Sequence, residues 1–183
     1  MRNGIVAGTL PAGLHYSAQI QAAADQRNFS AELLYAIGWV EIIATEISGW
    51  IAEVYPGMTA ATLISTKSPP PGYGAFQETP ETSGNELPAN WQDVTVAALF
   101  AIDHHLAEAW TFWATQGLEG DDLVRAIAAE FNAGRGGAER GHAAGDIGLD
   151  TTHEVVNGVS TSYSDRVLAA YTSLVAGKEP ALS

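Results

Sequence analysis

A long apolar segment in the first third of the chain constrains the fold more than any other feature. From Leu33 to Ile47 a helix would be apolar on nearly every face, and Ser30 precedes this segment as a helix N-cap. Glu32 lies in the first turn, where the helix dipole favours a negative charge. Because a helix without a polar face is usually buried, the segment predicts a central helix that other helices surround.

The rest of the sequence predicts further helices and two long loops. Helical spacing is found at 17–26, at 90–116, from Asp121 onward, and after Ser164 and Asp165. The 48–88 region is rich in proline and glycine, which interrupt helices, and Thr62–Thr66 within it could form a short strand. Residues 133–162 form a second region rich in glycine and polar residues. Residues 1–16 are expected to form an extended N-terminal segment. We therefore expect an α+β, mostly α, domain.

Composition restricts both the architecture and the partners. A chain of 183 residues has the usual size of one domain, so we expect a single domain over residues 1–183. The net charge of −13 excludes nucleic-acid binding through clusters of lysine and arginine, and it disfavours anionic membrane surfaces. Without cysteine, disulfides and thiolate chemistry are excluded. Residues 1–14 hold no long apolar run and the 33–40 run is too short for a bilayer, so we expect neither a signal peptide nor membrane insertion.

One carboxylate interrupts the apolar helix. Glu41 is the only charged residue between Glu32 and Glu46, and it shares the i, i+3, i+7 stripe of Leu34 and Ile37. Burial among aliphatic side chains would raise the pKa of this carboxyl group, which keeps a carboxylic acid protonated near neutral pH. A general acid in glycoside cleavage needs this property. The alternative is a structural carboxylate that pairs with an arginine.

Four segments follow one another in an order that is typical of one enzyme family. They are SAELLYAIGWVE at 30–41, YGAFQ at 73–77, AAEFNAG at 128–134, and DIGLDTTH at 146–153 followed by YSDRV at 163–167. The set resembles the goose-type lysozymes and soluble lytic transglycosylases of glycoside hydrolase family 23. The first segment is similar to the family's helix that ends in the catalytic glutamate, and the resemblance covers roughly residues 17–176.

The resemblance implies a lysozyme-like fold with a helical lobe, a small β-containing lobe and a cleft between them. It implies cleavage of the β-1,4 bond between N-acetylmuramic acid and N-acetylglucosamine in peptidoglycan strands, with Glu41 as the catalytic acid. Gln77 and Asn132 would line the cleft and bind sugar groups, and Tyr163 would orient the carboxyl group of Glu41. Such a chain would be a phage-type lysis protein or a virion component, made in the bacterial cytoplasm and acting on the cell wall.

The sequence leaves the second carboxylate open. Ile42 stands where the family usually has a serine, and Thr79 stands where goose-type enzymes place an aspartate. An inverting hydrolase needs a base that activates water, its carboxyl group about 6.5–9.5 Å from the acid. The candidates are, in order, Glu53, Glu46 and Glu78. If none reaches the cleft, a hydroxyl group of the substrate would attack and leave an anhydro-muramyl product, as in a lytic transglycosylase.

Several aromatic residues admit two interpretations. Tyr73 and Phe76 could stack on sugar rings, or they could anchor their loop to the core. Glu78 in the same segment is also a candidate for substrate binding. The tryptophans at helical spacing or helix starts are expected to pack in the interior: Trp91, Trp110 and Trp113.

The sequence gives little support for a metal or a cofactor. His104, His105 and Glu108 suggest a metal site, but adjacent histidines point about 100° apart on a helix. No His-Glu-x-x-His motif is present. We therefore expect a monomer with no metal and no cofactor. Two alternatives remain: a chitinase of the same fold, whose neutral substrate suits an acidic protein, and a carbohydrate-binding module without turnover.

Overall fold

The computed structural model describes residues 3–65, 72–79, 87–147, 153–156 and 159–182. Within these ranges the chain is mainly helical, with two short pairs of antiparallel strands. The expected α+β, mostly α, class is therefore confirmed. Among the helices described, none is both long and apolar enough to span a bilayer.

The regular elements are helices of 4 to 24 residues and two pairs of short strands. In order they are α1 (Ser17–Arg27), α2 (Ala31–Gly38), α3 (Ala44–Ile47), α4 (Trp50–Val54), β1 (Ile64–Ser65), β2 (Gly72–Tyr73), α5 (Val94–Ala101), α6 (Ala107–Thr115), α7 (Gly120–Ala143), β3 (His153–Val156), β4 (Val159–Ser162) and α8 (Tyr163–Val175). Two π-helical turns, Trp39–Ile43 and Ile102–Leu106, join α2 to α3 and α5 to α6. A 3₁₀ turn, Gly74–Phe76, follows β2. In the strand pairs, β1 lies antiparallel to β2 and β3 lies antiparallel to β4.

The predicted central helix forms and lies in the middle of the hydrophobic core. Its N-terminus is capped as expected, since Ser30 Oγ accepts the N–H of Leu33 at 3.2 Å. Every residue of α2 is buried, including the side chain of Glu32. Helix α2 packs against α1 on one side and α8 on another. The apolar segment thus organises the fold in the way that its sequence predicts.

Two helix boundaries differ slightly from the predicted ones because capping side chains fix them. Helix α5 begins at Val94, since Asp93 Oδ1 accepts the N–H of Thr95 at 2.8 Å. Helix α8 begins at Tyr163, since Ser162 Oγ accepts the N–H of Asp165 at 3.1 Å. The second cap places Tyr163 in the first turn of α8.

The expectation of a loop from residue 133 onward is wrong for 133–143. Helix α7 leaves helical geometry only at Gly134, where φ is 70° and ψ is 164°, and then resumes as far as Ala143. A positive φ at this point favours glycine. The resumed part packs inward through Ala138 and Gly141, which are buried. Tertiary packing therefore outweighs the low helix propensity of this glycine-rich stretch. Residues 148–152, which carry most of the DIGLDTTH motif, lie outside the described ranges.

A second, smaller hydrophobic cluster lies beside the main core. It consists of Ile42, Ile51, Ala60 and Leu63, which come from the π-helical turn, α4 and the segment before β1. Glu46 fixes this cluster in place. Its Oε2 accepts the hydroxyl proton of Tyr16 at 3.0 Å and the N–H of Ala60 at 2.7 Å.

Candidate active site

Glu41 lies in the π-helical turn Trp39–Ile43, partly exposed to solvent. The hydroxyl group of Tyr163 donates a hydrogen bond of 2.6 Å to Oε1 of Glu41. Tyr163 is itself only 3% exposed, so the packing of its ring fixes the position of the hydroxyl group. Because the tyrosine comes from α8, this hydrogen bond joins two elements that are 122 residues apart in sequence.

The partial exposure of Glu41 differs from the expected burial on the stripe of Leu34 and Ile37. Both aliphatic residues are fully buried. The stripe assumes continuous α-helical spacing, but the π-helical turn holds an extra residue per turn and shifts every position after Gly38. This shift turns the carboxylate of Glu41 out of the core, where it lines a cavity.

Two cavities meet at Glu41. The first, which we call the acidic cavity, has a volume of about 580 Å³ and is lined by Glu41, Gln77, Glu78, Thr79, His105, Glu130, Phe131, Asn132, Ala133 and Gly134. The second, which we call the aromatic cavity, has a volume of about 530 Å³ and is lined by Trp39, Val40, Glu41, Ile42, Ala44, Thr45, Ser48, Trp50, Tyr55, Leu63, Gln77, Arg166 and Leu182. Glu41 and Gln77 line both, so these two side chains mark the junction of one groove.

Local backbone geometry sets the position of Gln77. The residue has a positive φ of 48° at the end of the 3₁₀ turn, and its Nε2 donates to the carbonyl oxygen of Gly74 at 2.8 Å. On either side, the backbones of Tyr73 and Glu78 exchange hydrogen bonds of 3.0 and 3.1 Å. This small closed turn presents the side chains of Gln77 and Glu78 to the cavities, as the resemblance implied for Gln77.

Glu78 and His105 form an ion pair in the wall of the acidic cavity. Nε2 of His105 lies 2.8 Å from Oε2 of Glu78, whose side chain is only 5% exposed. Oε1 of Glu78 has no hydrogen-bond partner among the described residues. Burial alone would lower the pKa of His105, but the contact with Glu78 and the charges of Glu78, Glu130 and Glu108 outweigh it and raise the pKa. The charged form of His105 is therefore favoured.

Glu130 also lines the acidic cavity, but other side chains occupy both of its oxygens. Trp113 Nε1 donates to Oε2 at 2.8 Å, and Arg135 donates to Oε1 at 2.8 Å. Arg135 also bonds Glu108 at 2.8 Å. Glu130 therefore has a structural role. Sequence reasoning overlooked it together with Trp50 and Arg166, and it considered His105 only as a metal ligand. The position of Glu130 inside the AAEFNAG motif was the one signal that could have indicated it.

The structure brings only some of the predicted site residues together. Asn132 lines the acidic cavity with Glu41, Gln77 and Glu78. Glu53, the preferred second carboxylate, is exposed on α4 and lines neither of the two cavities. Glu53 comes two residues after the buried Ile51, which places it about 200° further around α4, so its side chain points to solvent.

The two aromatic residues considered for sugar stacking lie elsewhere. Phe76 is fully buried in the main core and offers no free ring face, which contradicts a stacking role. A methyl group added at Gly38 would come within 3.3 Å of its ring, so Phe76 fills the space that this glycine leaves. Tyr73 packs edge-on against Trp91 at 5.3 Å between ring centroids, and it lines neither cavity.

The expected interior packing of Trp110 and Trp113 is confirmed, since they are 6% and 1% exposed. Trp91 is only partly buried. Within the described part of the chain, no three His, Asp or Glu side chains are grouped so that they could hold a metal ion.

Comparison with known proteins gives no match: no family model, no curated protein and no solved structure is significantly similar to this chain.

Proposed function

We propose that this chain is a glycosidase that cleaves the β-1,4 bond between N-acetylmuramic acid and N-acetylglucosamine in peptidoglycan, with Glu41 as the general acid. The observation that carries the proposal is the position of Glu41 at the junction of the two cavities, with the Tyr163 hydroxyl group on Oε1. A glycan bound along both cavities would place one of its linkages at this carboxyl group.

The hydrogen bond from Tyr163 suits the role of an acid. As the proton of Glu41 passes to the glycosidic oxygen, negative charge develops on the carboxylate. A neutral hydroxyl donor at 2.6 Å stabilises that charge without supplying a positive charge that would hold the acid deprotonated beforehand. The hydrogen bond from Tyr163 therefore supports a catalytic role for Glu41.

The lining of the groove suits an amino-sugar polymer. Trp50 and Tyr55 in the aromatic cavity provide ring surfaces of the kind that pack against the apolar faces of sugars. Gln77 and Asn132 carry amide groups that can donate to and accept from hydroxyl and acetamido groups. These contacts support a lysozyme-like cleft.

A cationic residue favours peptidoglycan over chitin. Arg166 is the only lysine or arginine among the described residues that line the aromatic cavity. Peptidoglycan carries carboxylates on its lactyl groups and peptides, which a guanidinium group binds well, whereas chitin is neutral. We place the enzyme at the bacterial cell wall as a monomeric, phage-type lysis protein.

The substitution Glu41→Gln tests the proposal. It keeps the shape of the side chain and removes the transferable proton, so the release of soluble fragments from purified peptidoglycan should fall by roughly 10²–10⁴-fold. Glu139→Gln is the matched control, because Glu139 is exposed on α7 and lines neither cavity. Chitin oligomers should be cleaved more slowly than peptidoglycan fragments of equal length.

Two outcomes would contradict the proposal. One is a folded Glu41→Gln variant that retains the activity of the wild type. The other is a wild-type protein that binds cell walls and releases no fragments, which would instead indicate a carbohydrate-binding module.

A further inference from the structure

Residues 178–182, which follow α8, bring an apolar side chain to the aromatic cavity. Leu182 lines that cavity, and Arg166 is the only other lining residue that comes after Gln77 in the sequence. Leu182 is 55% exposed, the largest fraction among the large apolar residues that the described ranges leave in solvent. An apolar side chain beside a cavity gains free energy when a ligand covers it. Leu182 therefore lies where a bound ligand would remove it from water.

The segment 178–182 leaves α8 along a defined path. Gly177 has a φ of 70°, and its N–H donates to the carbonyl oxygen of Leu174 at 2.9 Å. The N–H of Lys178 donates to the carbonyl oxygen of Ser173 at 2.9 Å. This pair of hydrogen bonds is the Schellman arrangement, which closes a helix and turns the chain away from its axis. The direction in which the segment leaves the helix is therefore fixed.

Two further observations place this segment near the central helix α2. Pro180 is buried, although Glu179 before it is exposed. Burial raises the pKa of Tyr35 in α2, and the nearby negative charge of Glu179 raises it further. The ring of Tyr35 stacks on that of Trp39, with 6.2 Å between centroids, and Trp39 lines the aromatic cavity. The buried proline therefore anchors the segment close to this cavity.

We propose that Leu182 is a substrate-binding residue that packs against the glycan in the aromatic cavity, and that residues 178–182 form a preformed wall of that cavity. This inference rests on the proposed function, because it takes a glycan as the occupant of the groove. The choice of occupant follows from continuity, since the aromatic cavity meets the acidic cavity at Glu41 and Gln77. The C–H groups of a sugar ring and the methyl group of an acetamido substituent offer apolar surface that a leucine side chain can cover.

The contact with Leu182 should contribute to binding and not to the chemical step. Leucine has no charge, donor or acceptor that responds when the glycosidic bond breaks, so it covers the glycan equally in the ground state and in the transition state. Contacts of this uniform kind lower KM and leave kcat unchanged. Because the segment is already anchored, it loses little conformational freedom when the glycan binds.

The first test measures binding without cleavage, in the Glu41→Gln background. Isothermal titration calorimetry with soluble, uncrosslinked peptidoglycan strands should show that Leu182→Ser raises the Kd by roughly three- to thirtyfold. Leu182→Met keeps an apolar side chain of similar size, so it should hold the Kd within about twofold. The matched control is Val175→Ser, because Val175 is an apolar residue of α8 that is 42% exposed and lines neither cavity. Its Kd should equal that of the background.

The same substitution in the active enzyme separates binding from chemistry. Leu182→Ser should raise KM for peptidoglycan fragments by the factor found for the Kd, with kcat within about twofold of the wild type. A fall in kcat without a change in KM would contradict a binding role.

The second test asks whether Pro180 positions Leu182. Pro180→Gly frees the backbone and leaves the leucine side chain unchanged, so it should also raise the Kd. Because both substitutions weaken the same contact, Leu182→Ser should have a smaller effect in the Pro180→Gly background than alone. Equal effects in the two backgrounds would contradict a preformed wall.

The outcomes separate this inference from the proposed function. An unchanged Kd in folded Leu182→Ser overturns the inference alone, and so does a lower Kd, which would show that residues 178–182 obstruct the groove. An active Glu41→Gln variant overturns the proposed acid and leaves the binding comparison standing. If neither the wild type nor Glu41→Gln binds the strands, the proposed function and the inference both fail.

Discussion

Replacing Tyr163 by phenylalanine would remove a single hydroxyl group from the candidate site and leave the ring in place. The tyrosine ring is 3% exposed in the main core, so the phenylalanine ring can occupy the same space. The change therefore isolates the 2.6 Å hydrogen bond to Glu41 Oε1. Because that bond is strongest when Glu41 is ionised, its loss should act mainly on the transition state and lower kcat more than it raises KM.

The size of the effect follows from the type of hydrogen bond. A hydrogen bond to a charged group contributes about 1.5–3 kcal/mol, which corresponds to a loss of roughly 10- to 150-fold in kcat/KM at about 1.4 kcal/mol per factor of ten. The assay is the initial rate of release of reducing ends from peptidoglycan fragments. The alkaline limb of the pH profile should move upward, since the ionised form of Glu41 loses its donor.

Two comparisons would refute this reasoning. Tyr171→Phe is the matched control, because Tyr171 is a buried tyrosine on the same helix whose hydroxyl group accepts the N–H of Val6 at 2.8 Å instead. It should change stability and leave the kinetics unchanged. The interpretation is wrong if folded Tyr163→Phe keeps its activity within twofold, or if it lowers activity by the same factor in a Glu41→Gln background, where the acid is already absent.

Two further predictions concern stability. Glu46→Ala leaves the hydroxyl group of Tyr16 and the N–H of Ala60 without their acceptor, so the free energy of unfolding in urea should fall by about 1–3 kcal/mol; an unchanged value would show that Glu46 does not hold the small cluster. The pKa of His105 is raised in the folded state, so protonated His105 contributes its full stabilisation below about pH 6.5. This contribution is lost as the pH rises through the raised pKa. The melting temperature of the wild type should therefore decline relative to that of His105→Gln above that pH, and parallel curves would contradict the ion pair.

The parts of the fold that depend on local sequence were predictable. The apolar run after Ser30 predicts a capped, buried helix, and α2 is such a helix because capping and hydrophobic periodicity act over a few residues. The exposure of Glu41 was not predictable in the same way. It depends on one π-helical turn, which begins directly after Gly38 and has no local sequence signal.

The candidate site could be predicted only where a motif carried it. Glu41, Gln77 and Asn132 stand in segments that resemble one family, and they line the same cavity. The pair of Glu78 and His105 joins residues that are distant in sequence, and no local pattern indicates that they meet. Phe76 shows the reverse problem, since an aromatic residue in a loop looks the same in sequence whether it binds a ligand or fills the core.

The two π-helical turns, Trp39–Ile43 and Ile102–Leu106, carry Glu41 and His105 respectively. A turn of this kind can be viewed as one residue inserted into an α-helix. Deleting one residue from either turn would restore a regular helix and rotate the side chain by about 100° about the helix axis. The positions of both side chains in the cavity wall therefore depend on single-residue insertions in helices whose other residues pack in the interior, so the cavity and the core are built from the same two helical segments.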